Sequence, residues 1–218
     1  MTILGFRVAS PSCAVAWCDS ETYVDDAPGG EICKLAIGAL AGIMGAGTGT
    51  VDMILDAGEV VQRSPTLEDV VASLPFVLRD AQRQALQTHG ARPWASGSAY
   101  AVVGRCAHFG RVVGYVFRAA DDFAPLLTSR FAYPEIGMAD RMVADEQGVV
   151  SAALQQIATL RRTLPAATGR TLMMAELHGR RVMARPVFDL ATAWRSLPEP
   201  PVGVGGRMLV SDGAEVCD

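Results

Sequence analysis

The sequence has no apolar run long enough to span a bilayer, and its start lacks the basic segment and continuous apolar stretch of a signal peptide. These absences predict a cytoplasmic protein. Positive charge is also scarce, because 19 Lys+Arg stand against 23 Asp+Glu and the net charge is −4. Such a balance gives no excess of positive charge that would attract nucleic acid or an anionic membrane. We therefore expect no nucleic-acid and no membrane partner.

Cysteine and histidine are few and scattered. The five cysteines and three histidines form neither a CxxC pair nor a Cys/His metal spacing. An odd number of cysteines in mostly apolar surroundings predicts reduced thiols rather than a disulfide framework. The sequence therefore predicts no metal site, and none of its motifs requires a cofactor.

Apolar residues are plentiful: half of the 218 residues are hydrophobic, which is enough for a sizeable core. We predict one domain over residues 1–197. The segment 198–218 is rich in proline and glycine and is expected to be an irregular tail.

Turn signals between apolar runs predict hairpins over residues 3–18, 32–44, 98–118 and 170–188. Shorter strands are expected at 19–23 and 126–131. Segments 25–31 and 45–50 are rich in glycine and are expected to be loops. Hairpins without βαβ crossovers imply antiparallel sheets.

Three helices are predicted from the apolar periodicity, at residues 51–62, 66–88 and 148–164. Thr66 is the expected N-cap of the second helix, and Pro75 is expected to bend or interrupt it. The helices fall into two groups along the chain. This order favours an α+β fold with a helical layer on each outer face of a two-sheet sandwich.

Four motifs occur in the first sixty residues. They are "TILGFR", which starts a strand with Thr2; "AVAWCDSETY", with Asp19 at a strand end; "ICKLAIG", with Lys34; and "GAGTGTVD", ahead of the first helix. Together with the order of elements, they resemble the proteasome β-subunit family and its bacterial ring peptidases. The resemblance implies a four-layer αββα sandwich of two antiparallel sheets flanked by helices, the fold of N-terminal-nucleophile hydrolases.

The resemblance also implies a threonine-type peptidase. After removal of Met1, Thr2 would carry both the nucleophilic hydroxyl and a free α-amine, whose reference pKa of about 7.7–8.0 suits a general base. Lys34 would lower the pKa of both groups, and Asp19 would pair with Lys34. The backbone N–H of Thr48 or of Gly47 would form the oxyanion hole. Thr168 and Gly169 would support the terminal amine.

Members of this family assemble, so the resemblance implies stacked homo-oligomeric rings. It also implies peptides or unfolded proteins as substrates and an ATP-dependent unfoldase as partner. A mean hydropathy of +0.24 fits a chain that buries surface in an assembly.

Two other functions are open. An inactive ring or scaffold subunit is favoured by Pro165, where the family has an acid, and by Gly137-Met138, where a serine is missing. Nucleotide binding through "GAGTGT" is the third hypothesis, although the motif lacks the Gly-Lys-Ser/Thr of a P-loop and no βαβ unit surrounds it.

Overall fold

A computed structural model describes residues 2–24, 27–90, 97–136, 145–162 and 169–195 of the chain. The described part is a mixed α/β structure with three sheets and four α-helices. The predicted tail, 198–218, lies outside it.

The strands are numbered in chain order. They are β1 (Leu4–Ser10), β2 (Cys13–Asp19), β3 (Glu21–Val24), β4 (Ala27–Glu31), β5 (Leu35–Gly38), β6 (Ile43–Thr48), β7 (Ala99–Cys106), β8 (Arg111–Arg118), β9 (Leu126–Thr128), β10 (Arg130–Tyr133), β11 (Thr171–His178) and β12 (Arg181–Asp189). The first sheet has the order β10-β1-β2-β11-β12 and the second β5-β6-β7-β8-β9, while β3 and β4 form a separate hairpin. Every neighbouring pair is antiparallel, as predicted.

The helices are α1 (Val51–Arg63), α2 (Leu67–His89), α3 (Glu146–Leu160) and a short α4 (Leu190–Arg195). Each of the first three begins with a side-chain cap. Thr50 accepts from the Met53 N–H, Thr66 from the Asp69 N–H and Asp145 from the Gly148 N–H. The predicted cap at Thr66 is confirmed, and α4 was not predicted.

Of the bend or break predicted at Pro75, the break is wrong, because α2 runs continuously through this residue. Proline removes one backbone hydrogen bond. Leu74 and Leu78, on either side, are fully buried against the second sheet, so the packing of this helix face outweighs the missing bond.

Three loop and strand predictions need correction. Segment 25–31 is not wholly a loop, since Ala27–Glu31 forms β4. Segment 45–50 is not a loop either, because β6 continues to Thr48 and pairs with β7 throughout. The predicted strand 126–131 is two strands, β9 and β10, which belong to different sheets.

The glycines of β6 are explained by packing rather than by a turn. A Cβ built on Gly45 would lie 2.9 Å from Val61 Cγ2 of α1 and 3.0 Å from the ring of Tyr100. Absence of side chains therefore lets α1 and the Tyr100 ring lie close against the strand.

The buried apolar residues form three clusters. One contains residues of both five-stranded sheets, including Leu4, Phe6, Met44 and Val103. A second joins α1 and α2 to the second sheet, and a third joins α3 and α4 to the first sheet. In the described ranges, no helix combines the length and the hydropathy that crossing a bilayer requires.

Candidate active site

Thr2, Asp19 and Lys34 come together at one end of the two sheets. Thr2 immediately precedes β1, Asp19 ends β2, and Lys34 immediately precedes β5. Because β1 and β2 are antiparallel, the start of one lies beside the end of the other, and the Asp19 N–H donates to the Ile3 carbonyl at 3.2 Å. The predicted meeting of these three side chains agrees with the observed geometry.

The Lys34 ammonium is buried, with 3% of the residue exposed, and uses all three of its donors. It donates to the Thr2 hydroxyl, to Asp19 Oδ1 at 2.9 Å, and to the backbone carbonyl of Glu21. The ammonium is therefore fixed in direction.

Asp19 is fully buried, and three donors converge on its Oδ1. They are the Thr2 hydroxyl, the Lys34 ammonium and the Ile3 N–H at 3.1 Å. Burial raises the pKa of Asp19, and the charge of Lys34 opposes that rise. Asp19 Oδ2 has no hydrogen-bond partner within the described residues. The pair is a buried ion pair that is bonded on one carboxylate oxygen.

The Thr2 hydroxyl lies between opposite charges. It donates to Asp19 and accepts from Lys34, and only 2% of the residue is exposed. An ammonium in such a position stabilises negative charge that develops on the hydroxyl oxygen, and its effect is strengthened because the site is shielded from water.

Gly47 and Thr48 lie in β6, alongside Lys34. Leu35, which follows Lys34, is opposite Ala46, and the pairing of β5 with β6 begins there. Beyond Ala46, β6 pairs with β7 alone, so on its β5 side the backbone of Gly47 and Thr48 has no strand partner in the described part of the chain. Because successive N–H groups of a strand point to opposite sides, one of these two N–H groups faces that side, and each remains a candidate for the oxyanion position.

Gly169 is connected to the site through Glu21. Its N–H donates to Glu21 Oε2 at 2.7 Å, and its φ of 75° is one that glycine adopts readily. The Arg170 guanidinium lies 3.8 Å from Glu21 Oε1. Thr168, the other predicted supporting residue, lies outside the described residues.

Glu21 is the site residue that the sequence analysis missed. It is 1% exposed, its carbonyl accepts from Lys34, and its carboxylate holds the segment that leads into β11. An acid two residues after Asp19 in "CDSET" was the available signal, but a polar strand alone explains it equally well. Only the tertiary fold brings Gly169 to it.

The arrangement can activate a hydroxyl and stabilise an anion, and no group of three or more potential metal ligands occurs within the described ranges. No protein-family model and no curated protein matches the chain.

Proposed function

We propose that the chain is a threonine-type peptidase whose nucleophile is the Thr2 hydroxyl, set free at the amino terminus by removal of Met1. The observation that carries this proposal is the position of that hydroxyl between the Lys34 ammonium and the Asp19 carboxylate. The three side chains come from three separate places in the chain, ahead of β1, at the end of β2 and ahead of β5, and a buried lysine needs a partner. An amino-terminal threonine can supply both the nucleophile and the base for acyl transfer.

In the proposed reaction, the α-amine of Thr2 takes the hydroxyl proton as the oxygen attacks the scissile carbonyl carbon. The N–H of Thr48 or Gly47 receives the resulting oxyanion. The C–N bond then breaks, and the amine returns its proton to the leaving group. Water hydrolyses the ester that remains on Thr2. Lys34 stabilises negative charge on Oγ1 throughout, and Asp19 holds Lys34 in place.

We further propose that the chain has the four-layer αββα fold of N-terminal-nucleophile hydrolases and belongs with the proteasome β-subunits. The three apolar clusters support this arrangement, because one is shared by the sheets and the others each join helices to one sheet. Stacked rings in the cytoplasm, unfolded polypeptide as substrate and an ATP-dependent unfoldase complete the proposal. On the β5 side of β6, the backbone at Gly47 and Thr48, which has no partner strand among the described residues, would accept a substrate strand.

The test is covalent labelling with a β-lactone or epoxyketone probe, read by intact mass. The purified protein should lack Met1 and gain one probe on Thr2. Thr2→Ala should abolish labelling, while Thr2→Ser, which keeps a hydroxyl and an amine, should retain it. Undiminished labelling of Thr2→Ala would exclude Thr2 as the nucleophile.

An inactive ring or scaffold subunit is the second candidate, and the near-complete burial of Thr2 favours it. In that case, the Asp19–Lys34 pair is purely structural. A retained Met1 in the intact mass, together with absence of labelling, would favour the scaffold.

Nucleotide binding has less support than either. Only Gly49 and Thr50 separate β6 from α1, and two residues are too few to wrap a phosphate. Failure of ATP and NAD to raise the melting temperature would remove this hypothesis.

A further inference from the structure

The end of the sheets opposite Thr2 is built from four turns that touch one another. The Val112 N–H donates to the Pro11 carbonyl at 2.8 Å, and the Gly179 N–H donates to the Ser12 carbonyl at 2.7 Å. A Cβ on Gly42 would lie 2.6 Å from the Arg180 carbonyl oxygen, so that turn packs directly on the β11–β12 turn. We name this surface, residues 10–13, 38–43, 105–111 and 178–181, the turn end.

The turn end is positively charged on a negatively charged protein. It contains four arginines and two histidines but no acidic residue, while the whole chain has a net charge of −4. The arginines are Arg105, Arg111, Arg180 and Arg181. In the described part of the chain, none of these arginines forms an ion pair. The nearby Glu68 is already occupied, because its Oε1 accepts from the Cys106 thiol and from the N–H groups of the turn.

Apolar side chains protrude among these charges. Leu40 is 99% exposed and Phe109 is 43% exposed. The Arg111 guanidinium lies 6.0 Å from the centre of the Phe109 ring. Protruding apolar groups ringed by like charges are typical of a contact surface.

A surface of opposite charge runs along the outer side of α1. Asp52, Asp56 and Glu59 follow one another at helical spacing, and Val51 and Leu55 are exposed beside them. Partial burial and the neighbouring charges of Asp52, Glu59 and Asp80 raise the pKa of Asp56. Glu59 is paired with Arg63 at 2.5 Å, whereas Asp52 and Asp56 form no ion pair with any residue that the structure describes, so the uncompensated negative charge lies mainly at these two aspartates. We name residues 51, 52, 55, 56 and 59 the acidic face.

We infer that the turn end of one copy of this chain docks on the acidic face of α1 in a second copy. Each surface offers what the other lacks: arginines meet carboxylates, and Leu40 and Phe109 meet Val51 and Leu55. The two surfaces are different, so the contact is heterologous and repeats head to tail, closing into a ring where the rotation allows. This contact would form the proposed ring, but it does not depend on the chemistry of Thr2.

The test is a charge exchange measured by sedimentation velocity across a concentration series. One variant carries Arg180→Glu and Arg181→Glu, a second carries Asp56→Arg and Glu59→Arg, and a third combines all four. The matched control, Arg162→Glu with Arg185→Glu, makes the same charge change outside both surfaces. Leu40→Ser removes an apolar contact at a side chain that is fully exposed in the monomer.

We expect the wild type and the control to assemble alike. Each of the two double variants that reverse the charge of one surface should raise the dissociation constant of the assembly at least about tenfold. The variant with all four substitutions should recover most of that loss of affinity. Leu40→Ser should weaken assembly while the melting temperature of the dissociated protein is unchanged. Each of these results supports the contact.

A wild type that stays monomeric at all concentrations overturns the inference. The inference is also overturned if the two double variants assemble like the control, or if the variant with all four substitutions recovers none of the lost affinity. If the protein does not assemble but the turn end binds phosphatidylserine vesicles or duplex DNA, the partner of the turn end is a membrane or a nucleic acid and not a second copy of the chain. Probe labelling of Thr2 is measured separately, so failure of this contact and failure of the peptidase proposal are distinguishable.

Discussion

At the scale of single residues, the central feature is a lysine and an aspartate buried together. Removing either partner leaves an uncompensated buried charge, which typically costs about 3–5 kcal/mol, whereas replacing both is often close to neutral. Lys34 and Asp19 are 3% and 0% exposed, so solvent screens them little. Single and double substitutions at this pair can therefore separate its effect on folding stability from its effect on catalysis.

Lys34→Met should lower the free energy of unfolding by about 3–5 kcal/mol, because the Asp19 carboxylate stays buried without its cation. Adding Asp19→Asn should restore most of that stability. Neither variant should label with the probe, since the ammonium beside Thr2 is gone in both. Urea unfolding and intact mass after labelling measure the two effects. Labelling by the double variant would contradict the role of Lys34.

The pH dependence of stability tests the raised pKa of Asp19. Between the unfolded pKa of about 3.9 and the higher folded pKa, the folded state holds a proton that the unfolded state has released. Stability from this group therefore falls as pH rises through that window. Relative to the double variant Lys34→Met with Asp19→Asn, in which neither buried group titrates, the wild type should gain up to about 1.4 kcal/mol for each pH unit of acidification inside the window.

Urea unfolding of both proteins between pH 4 and pH 7 gives this difference directly. A wild type that loses stability relative to this double variant on acidification would mean that the Lys34 charge outweighs burial and lowers the pKa of Asp19.

Thr2, Asp19 and Lys34 could be predicted from the sequence because each occupies a recognisable position at a strand end. Glu21 could not be predicted, because its partner Gly169 is far away in the sequence and a local pattern carries no information about such a distant contact. Long-range partners of buried polar groups are fixed by the tertiary fold.

At the scale of elements, Gln156 links α3 to the first sheet. Its Oε1 accepts from Trp17 Nε1 at 2.8 Å, and its Nε2 donates to the carbonyls of Leu4 and Tyr133 at 2.8 Å each. The side chain is fully buried, and its one amide group bonds to residues of three neighbouring strands, β10, β1 and β2.

Gln156→Leu should destabilise the fold by about 1–3 kcal/mol, because it leaves the buried Trp17 N–H and the Leu4 carbonyl without their partner. Gln155→Leu is the matched control. It is exposed on the same helix and should change stability by less than about 0.5 kcal/mol. Chemical denaturation followed by Trp fluorescence measures both. Equal effects would show that Gln156 does not link the two elements.

Hairpins and helices were predictable where periodicity and caps agreed, as at Thr66. Three of the errors, at 25–31, 45–50 and Pro75, have a common cause: glycine and proline lie inside strands or helices here, whereas a local sequence pattern assigns them to turns or breaks. Gly45 lies in a strand because Tyr100 and α1 need the space, and Pro28 and Pro75 lie inside regular elements. The chain crosses between the two sheets at Ser129, which lies between β9 and β10 and whose carbonyl accepts the Val8 N–H of β1 at 2.8 Å.

At the scale of the whole molecule, the proposed contact between copies depends on exposed charges, and such charges are screened by salt. The Debye length falls from about 10 Å at 0.1 M to about 3 Å at 1 M ionic strength. Raising NaCl from 0.05 M to 1 M should therefore shift the sedimentation distribution toward smaller species. Partial assembly should remain, because Leu40 and Phe109 contribute apolar contacts that salt does not weaken. Assembly that strengthens with salt would mean that apolar burial alone drives it.

Lys34 is also the only lysine in the sequence. Because its ammonium is enclosed and fully hydrogen-bonded, the folded surface presents no ε-amine to acylating reagents, aldehyde cross-linkers or enzymes that attach tags to lysine.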